Sequence, residues 1–247
     1  MKRVYLILVL FIMLFSCKER TETNLSAEEI INNSITVCGG DLYKSSKISF
    51  RFRDKNYVSE NRGTILKRSF EIDSVNYIDV KNNSGFERYI NDALVLIPDS
   101  LASLYSNSIN SVHYFVQLPY RLNDKAVNKE LLEEKVINNK SYYVVKVTFD
   151  KNGGGDDFED TYYYWIQKQS FKPDYLAYDF HENGGGVRFR KAYNERYVNG
   201  IRFVDYENYK PKNNSATIQQ IADLYLNNQL ELISEIKLEN INVINEN

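Results

Sequence analysis

Alternation of apolar and polar residues with a period of two is the commonest pattern along this chain. Ile48, Phe50 and Phe52 are separated by Ser49 and Arg51, which is typical of a β-strand with one buried face. A paired asparagine, Asn138-Asn139, is predicted to separate two strands. The remaining candidate strands lie near Phe70–Asp73, Tyr142–Phe149, Tyr162–Gln167, Tyr175–Phe180, Val187–Ala192, Ile201–Tyr206 and Leu232–Val243.

Helical periodicity appears in three places. Ser26 and Glu29 form a candidate capping box for a first helix that Gly39-Gly40 ends. Its apolar face comprises Ala27, Ile30, Ile31, Ser34, Ile35 and Cys38. Pro98-Asp99-Ser100 is expected to open a second helix. A short third helix is predicted near Thr217–Leu226.

Many antiparallel strands with few helices predict an α+β fold, because a sheet with one apolar face must cover it with helices or another sheet. An early amphipathic helix followed by a long meander indicates a strongly curved sheet wrapped around helices. We find no low-complexity linker, so residues 26–247 are expected to form a single domain.

The beginning of the chain predicts a lipoprotein signal peptide. Lys2 and Arg3 precede a run of twelve apolar residues, Val4–Phe15, and then Ser16 and Cys17. Twelve residues are too few for a membrane-spanning helix, which needs about 20, but they suit a signal peptide. We therefore expect cleavage after residue 16 and lipid attachment at Cys17, with residues 17–25 as the lipidated terminus and tether.

The predicted anchor indicates an address at the outer membrane. Lys18 follows Cys17, where an aspartate would mark inner-membrane retention in enteric lipoproteins. The domain would lie on the periplasmic face or at the cell surface. A tether of seven residues spans about 23 Å at most, at about 3.3 Å per residue, so the folded part stays near the membrane.

Charge and cysteine content exclude several classes of protein. From residue 17 onward the chain has 29 basic and 33 acidic residues, so no basic excess indicates a nucleic-acid partner. If Cys17 carries lipid, Cys38 is the one cysteine left, and no disulfide within the chain can form. Cys38 is expected to be a buried residue of the first helix.

No recognised catalytic motif occurs, so we predict a protein without catalytic residues or cofactor. His113 is flanked by Val112 and Tyr114 and is expected to be a packed histidine. His181 is the other histidine, and carboxylate pairs could still perform acid–base chemistry. The acidic loop Asn152–Asp160, with Asp156–Asp160, could bind Ca²⁺, but a solvated loop without metal is the expectation. Gly184–Gly186 is predicted to form a tight turn.

Aromatic residues are unusually frequent, with 20 Tyr, 13 Phe and one Trp. They suit strands, and they also suit a ligand cavity in which apolar walls meet a few polar groups. Alternation places Tyr162 and Tyr164 on one face of their strand and Trp165 on the other. The candidate ligand-binding residues are Phe50, Phe52, Tyr143, Val145, Tyr162, Tyr164 and Trp165.

Several segments together resemble a lipoprotein family of unassigned activity that is common in flavobacteria. These segments are Cys38–Gly40, Val147–Phe149, Tyr175–Tyr178, Asn183–Arg190, Gly200–Phe203 and Asp205–Tyr209. The resemblance implies a fold similar to that of the lipoprotein carriers LolA and LppX, an open antiparallel half-barrel with helices on its concave face. Since this chain has its own lipid signal, a tethered acceptor is the closer model.

The sequence therefore predicts an outer-membrane lipoprotein, monomeric, that binds or accepts a lipid or a lipidated protein in a concave cavity. One alternative is an interaction or scaffolding module without a small ligand. A second is an unrecognised hydrolase, for which a polar cleft with an exposed histidine beside carboxylates is expected.

Overall fold

The computed structural model describes residues 25–155, 158–181 and 184–246. The signal peptide, Cys17 and most of the tether lie outside these residues, as do Asp156 and Asp157 of the acidic loop. The first half of the fold comprises α1 (Ala27–Cys38), β1 (Ser46–Phe52), β2 (Lys55–Glu60), β3 (Ile65–Ile72), β4 (Val75–Asn82), β5 (Gly85–Ile90), β6 (Ala93–Val95) and α2 (Asp99–Val116). The second half comprises β7 (Val127–Ile137), β8 (Lys140–Phe149), β9 (Tyr162–Gln167), β10 (Pro173–Phe180), β11 (Gly186–Val198), β12 (Ile201–Pro211), α3 (Ile221–Leu226), β13 (Leu230–Ile236) and β14 (Leu238–Asn245).

The strands form two antiparallel seven-stranded sheets, neither of them closed. The first sheet has the order β14-β1-β2-β3-β4-β5-β6, and the second has the order β13-β12-β11-β10-β9-β8-β7. The prediction of an antiparallel α+β fold is confirmed, but the hydrogen bonds divide the strands between two sheets instead of one. The single strand predicted near Leu232–Val243 is wrong, because Lys237 separates β13 from β14 and each joins a different sheet.

The helix ends agree with their sequence signals. Ser26 accepts a hydrogen bond from Glu29 N at 3.2 Å, and Glu29 Oε2 accepts one from Ser26 N at 2.8 Å, which completes the capping box. Ile30, Ile31 and Cys38 are fully buried, so the predicted face of α1 is confirmed. α2 extends to Val116 and contains His113 within a helix.

Both faces of the second sheet are buried. On one face Val145, Tyr164 and Ile166 pack with Ile30 and Ile31 of α1. On the opposite face Tyr163, Trp165 and Phe189 pack against Ile221 and Ala222 of the short helix α3. This double burial explains why five consecutive residues of β9, Tyr162–Ile166, are buried, a pattern that alternation alone cannot distinguish from a one-sided strand.

The first sheet is buried on one face, and its apolar cover fades along the strands. Ile48, Phe50 and Tyr57 are buried with Val112 and Val116 of α2 packed nearby. On β3, Leu66 and Arg68 are buried, whereas Phe70 is half-buried and Ile72 is exposed. Alternation therefore identified the correct face of β3 but not how far the buried part extends.

A buried ion cluster joins α2 to the first sheet. Asp79 has no exposed surface, and it accepts hydrogen bonds from Arg68 Nη2 at 2.6 Å and from Arg88 Nε at 2.7 Å. Arg68 Nη1 also donates to Ser108 of α2 at 3.0 Å, and the Arg88 guanidinium lies 3.9 Å from the centroid of the Tyr105 ring. These contacts fix the middle of α2 over β3–β5.

Across residues 25–155, 158–181 and 184–246, no helix combines the length and the apolar character that a membrane span requires. The same residues contain no group of three or more His, Cys, Asp or Glu side chains that could hold a metal ion. Asp160, at the end of the acidic loop, is buried, so this residue departs from the expectation of a solvated loop.

Candidate functional site

A cavity of about 450 Å³ lies where the C-terminal half of α2 meets both sheets. From α2 it is lined by Ser111, Val112, Phe115 and Val116. The first sheet contributes Phe52 of β1 and Leu238 of β14, and β13 contributes Ile236. The cavity therefore lies at the boundary between the first sheet and the second sheet.

Aromatic side chains of β9 and β10 form one wall of the cavity. Tyr162 and Tyr178 are register partners, and their rings stack with centroids 5.3 Å apart. Phe115 of α2 lies across from them, with its ring centroid 5.8 Å from that of Tyr178. Phe180, two residues further along the same face of β10, also lines the cavity.

Because side chains alternate between the two faces of β11, two arginines of this strand line the cavity. Val187 and Phe189 point into the core beneath α3, so Arg188 and Arg190 project from the opposite face and line the cavity. The Arg188 guanidinium lies 4.7 Å from the centroid of the Phe180 ring.

Arg190 is nearly enclosed, with 8% of its surface exposed. Its guanidinium lies 4.0 Å from the centroid of the Phe115 ring, and Nη2 donates to the Tyr178 hydroxyl at 3.0 Å. Nε has no hydrogen-bond partner among the described residues. Since buried charges are normally paired, this side chain is unusual.

Asn208 adds a second polar group without a complete set of partners. It is the register partner of Arg190 across β11 and β12, and it lines the same cavity. Its Nδ2 donates to Ser234 Oγ at 3.1 Å, while its buried Oδ1 has no partner within the described part of the chain.

Asp160 lines the cavity and supplies its carboxylate. Its Oδ1 lies 3.3 Å from Nδ1 of His181, whose side chain is 61% exposed. Among the described lining residues, three arginines (Arg53, Arg188 and Arg190) therefore accompany one carboxylate. The cavity combines apolar walls with an excess of positive charge.

A small apolar extension of about 20 Å³ continues inward from the cavity. The residues that line both spaces are Phe115, Val116, Arg190, Ile236 and Leu238, and the extension is further lined by Leu118, Arg202, Val204 and Tyr206. Arg190 thus stands between the outer cavity and the packed interior.

The predicted ligand-binding residues lie in different places. Phe52 and Tyr162 line the cavity. Phe50, Val145 and Tyr164 are buried in the core. The two others are separate from the cavity: Tyr143 stacks on Phe171 with centroids 6.0 Å apart, and Trp165 belongs to the core beneath α3.

Sequence reasoning missed Phe115, Arg188, Arg190 and Asn208 as site residues. The alternating segment Val187–Arg190 contains a usable signal, because two arginines occupy one face of a strand whose other face is apolar. Polar residues in such a pattern are ordinarily assigned to solvent. Only the position of α2 above β11 makes that face internal.

His113 lies outside the cavity, enclosed between α2 and the first sheet. Its ring centroid is 5.5 Å from that of Phe50 and 5.7 Å from that of Tyr57, and Nε2 lies 3.5 Å from the carbonyl oxygen of Lys67. Burial lowers the pKa of His113 from 6.5 to about 4. The prediction of a packed histidine is confirmed. Cys38 is likewise buried, and burial raises its pKa to about 11.

Residues 44–240 match the model of a family of unknown function, DUF6503. The chain belongs to this family. The predicted resemblance to a family without assigned activity is thereby confirmed. Comparison of the DUF6503 chain with curated proteins finds no match.

The chain is also similar to several solved structures. A LolA superfamily protein from Nitrosomonas europaea is 11% identical, with 90% of this chain and 92% of that chain covered and a TM-score of 0.47. A DUF1329 family protein from Desulfovibrio piger is 10% identical, with 88% and 92% covered and a TM-score of 0.44. Lipoprotein LppX from Mycobacterium tuberculosis is 12% identical, with 63% and 87% covered and a TM-score of 0.28.

Proposed function

We propose that this protein binds an apolar molecule, a lipid or the acyl part of a lipidated protein, in the cavity between α2 and the two sheets. One observation carries the proposal: a space of about 450 Å³ with aromatic and aliphatic walls lies where α2 meets both sheets. Small-molecule sites are typically about 300–1,000 Å³ and mostly apolar.

The driving force would be removal of apolar surface from water. Burial of apolar surface contributes about 25 cal/mol per Å², and Phe52, Phe115, Tyr162 and Ile236 present such surface to the cavity. An acyl chain is the ligand class that gains most from walls of this kind, because it has no polar groups to desolvate.

We further propose that the protein acts at the outer membrane, held by lipid on Cys17, on the periplasmic face or at the cell surface. The charged start, the apolar run and Ser16-Cys17 support this location. Stable anchoring requires two or more acyl chains, as a bacterial lipoprotein signal would provide.

Two alternatives stand beside this proposal. An interaction or scaffolding module would use its outer surface and leave the cavity without a ligand. A hydrolase has one observation in its favour, the contact between His181 and Asp160, where Asp160 lines the cavity.

Photo-crosslinking with a neutral probe tests the binding proposal. If Cys17 carries a lipid anchor, the full-length protein sediments with the membrane fraction. It is isolated from that fraction and exposed to hexadecanol that carries a diazirine. Adducts are expected on cavity peptides, such as the one containing Phe115. Ser111→Trp should fill the entrance beside α2 and lower the adduct yield at least tenfold.

Ser103→Trp is the matched control, because Ser103 is exposed on the same helix and should leave the yield unchanged. Adducts confined to the outer surface, or equal yields from both variants, would overturn the binding proposal. Release of the alcohol from an ester of the probe, abolished by His181→Ala, would favour the hydrolase instead.

A further inference from the structure

The three buried arginines among the described residues differ in how their charge is balanced. Arg202 donates to Glu195 Oε2 at 2.6 Å, and Arg68 donates to Asp79 Oδ2 at 2.6 Å. Arg190 is buried to a similar extent, yet none of the ion pairs between described residues includes it. Its contacts are the Tyr178 hydroxyl and the Phe115 ring, neither of which carries a charge.

A buried guanidinium without a counter-charge is costly, because it gives up its hydration and receives no ion pair in return. A ring face and one hydroxyl compensate for part of that loss. The side chain lines the cavity, in a site with an excess of positive charge, and its buried Nε has no partner among the described residues. This is the arrangement that an anion completes by a charge-assisted hydrogen bond.

Asn208 and Ser234 provide further polar groups next to Arg190. Asn208 is directly across from Arg190 in the sheet, and its Oδ1 is buried without a partner among the described residues. Rotation of the amide by 180° would let Ser234 Oγ donate to Oδ1 and would place Nδ2, a further donor, where the unpartnered oxygen now lies.

We propose that Arg190 binds the anionic headgroup of the acyl ligand, a carboxylate or a phosphate monoester, while the chain lies against Phe52, Ile236 and Leu238. This inference rests on the proposed function, since it assigns a polar end to the same ligand. The inner extension of about 20 Å³ is too small for a chain, so the chain must occupy the outer cavity.

Paired probes separate the two proposals. Diazirine-labelled hexadecanoic acid and diazirine-labelled hexadecanol share a chain and differ in charge at the headgroup. The full-length protein should be labelled half-maximally by the acid at a concentration at least tenfold lower than by the alcohol. Arg190→Met should reduce this preference to less than twofold, whereas Lys125→Met, an exposed control, should keep the preference.

Arg190→Gln is a second variant that removes the charge and keeps a polar side chain able to form hydrogen bonds. Arg190→Gln is expected to lose the preference for the acid over the alcohol in the same way. The test can therefore be made with this variant if Arg190→Met fails to fold. Unlabelled hexadecyl phosphate should compete with the acid probe, and acetate or inorganic phosphate at the same concentration should not.

The outcomes distinguish the two claims. Equal labelling of the cavity by acid and alcohol in the wild type would overturn the headgroup inference while the apolar site stands. Loss of labelling by both probes in Arg190→Met and Arg190→Gln would also overturn it, because that result shows a structural role for Arg190. Absence of cavity labelling by either probe in the wild type would overturn the proposed function itself.

Discussion

The two sheets are held to their helices in different ways. The second sheet packs against α1 through apolar side chains such as Tyr164 and Ile166. The first sheet holds α2 partly through buried polar groups, namely the Arg68–Asp79–Arg88 cluster and His113. Apolar packing is non-directional, whereas ion pairs and hydrogen bonds require a defined geometry.

The difference explains where a cavity can exist. α2 is positioned over β3–β5 by directional contacts, so it need not settle as deeply as possible onto the second sheet. Leu101 and Leu104 near its N-terminus remain exposed, which shows that apolar burial alone does not determine its placement. Space is left at the boundary, beside Phe115.

The largest expected effect comes from the apolar region. Tyr164→Ala removes a fully buried ring from the contact between β9 and α1. A loss of about 3–5 kcal/mol in the free energy of unfolding is expected, as for large aromatic truncations, and urea denaturation measures it. Leu232→Ala, on the same sheet but half exposed, should change stability by less than about 0.5 kcal/mol. Similar losses for both variants would contradict this account.

Breaking the polar region should cost up to a similar amount of free energy and act locally. Asp79→Asn removes the charge that balances Arg68 and Arg88, and disruption of a buried pair costs about 3 kcal/mol or more. Hydrogen exchange should show faster exchange in α2 and β3–β5, with β8–β10 still protected. Asp54→Asn, in an exposed ion pair with Lys55, is the control. Uniform acceleration over both sheets would mean that the two regions are not distinct.

The smallest expected effect is a pH dependence of the free energy of unfolding that arises from His113, between α2 and the first sheet. Burial lowers the pKa of His113 to about 4, so the unfolded chain binds this proton more readily than the folded protein. Stability from this group is therefore complete above about pH 6.5 and falls by about 2 kcal/mol between pH 7 and pH 4.5. His113→Gln should lose that component of the slope, and His181→Gln should retain it; equal slopes for wild type and His113→Gln would refute the assignment.

Local patterns predicted much of the fold. The capping box at Ser26 defined the start of α1, and Asn138-Asn139, with φ of 49° and 64°, joins β7 to β8 as expected. The division into two sheets was not predictable, because Lys237 is not a turn signal and the chain simply changes sheets there. A continuous alternating segment therefore concealed two strands.

The site was less predictable than the fold. Aromatic content indicated a cavity, and Phe52 and Tyr162 do line one. The sequence could not show that Tyr164 and Trp165 lie in the packed core instead of the cavity wall, because β9 is buried on both faces. Arg190 was missed because a period of two assigns polar residues to solvent, and burial of that face depends on α2, which is more than 70 residues away in the sequence.

Pairing of β1 with β14 has a consequence for the order of assembly. Ser46 is the register partner of Asn245, so during synthesis one edge of β1 has no partner until nearly 200 further residues have been made. Unpaired strand edges are templates for association with other chains, and contacts so distant in sequence form slowly. The nascent protein therefore exposes an unpaired strand edge for most of its translation. We expect this edge to be prone to aggregation until residue 245 has been synthesised.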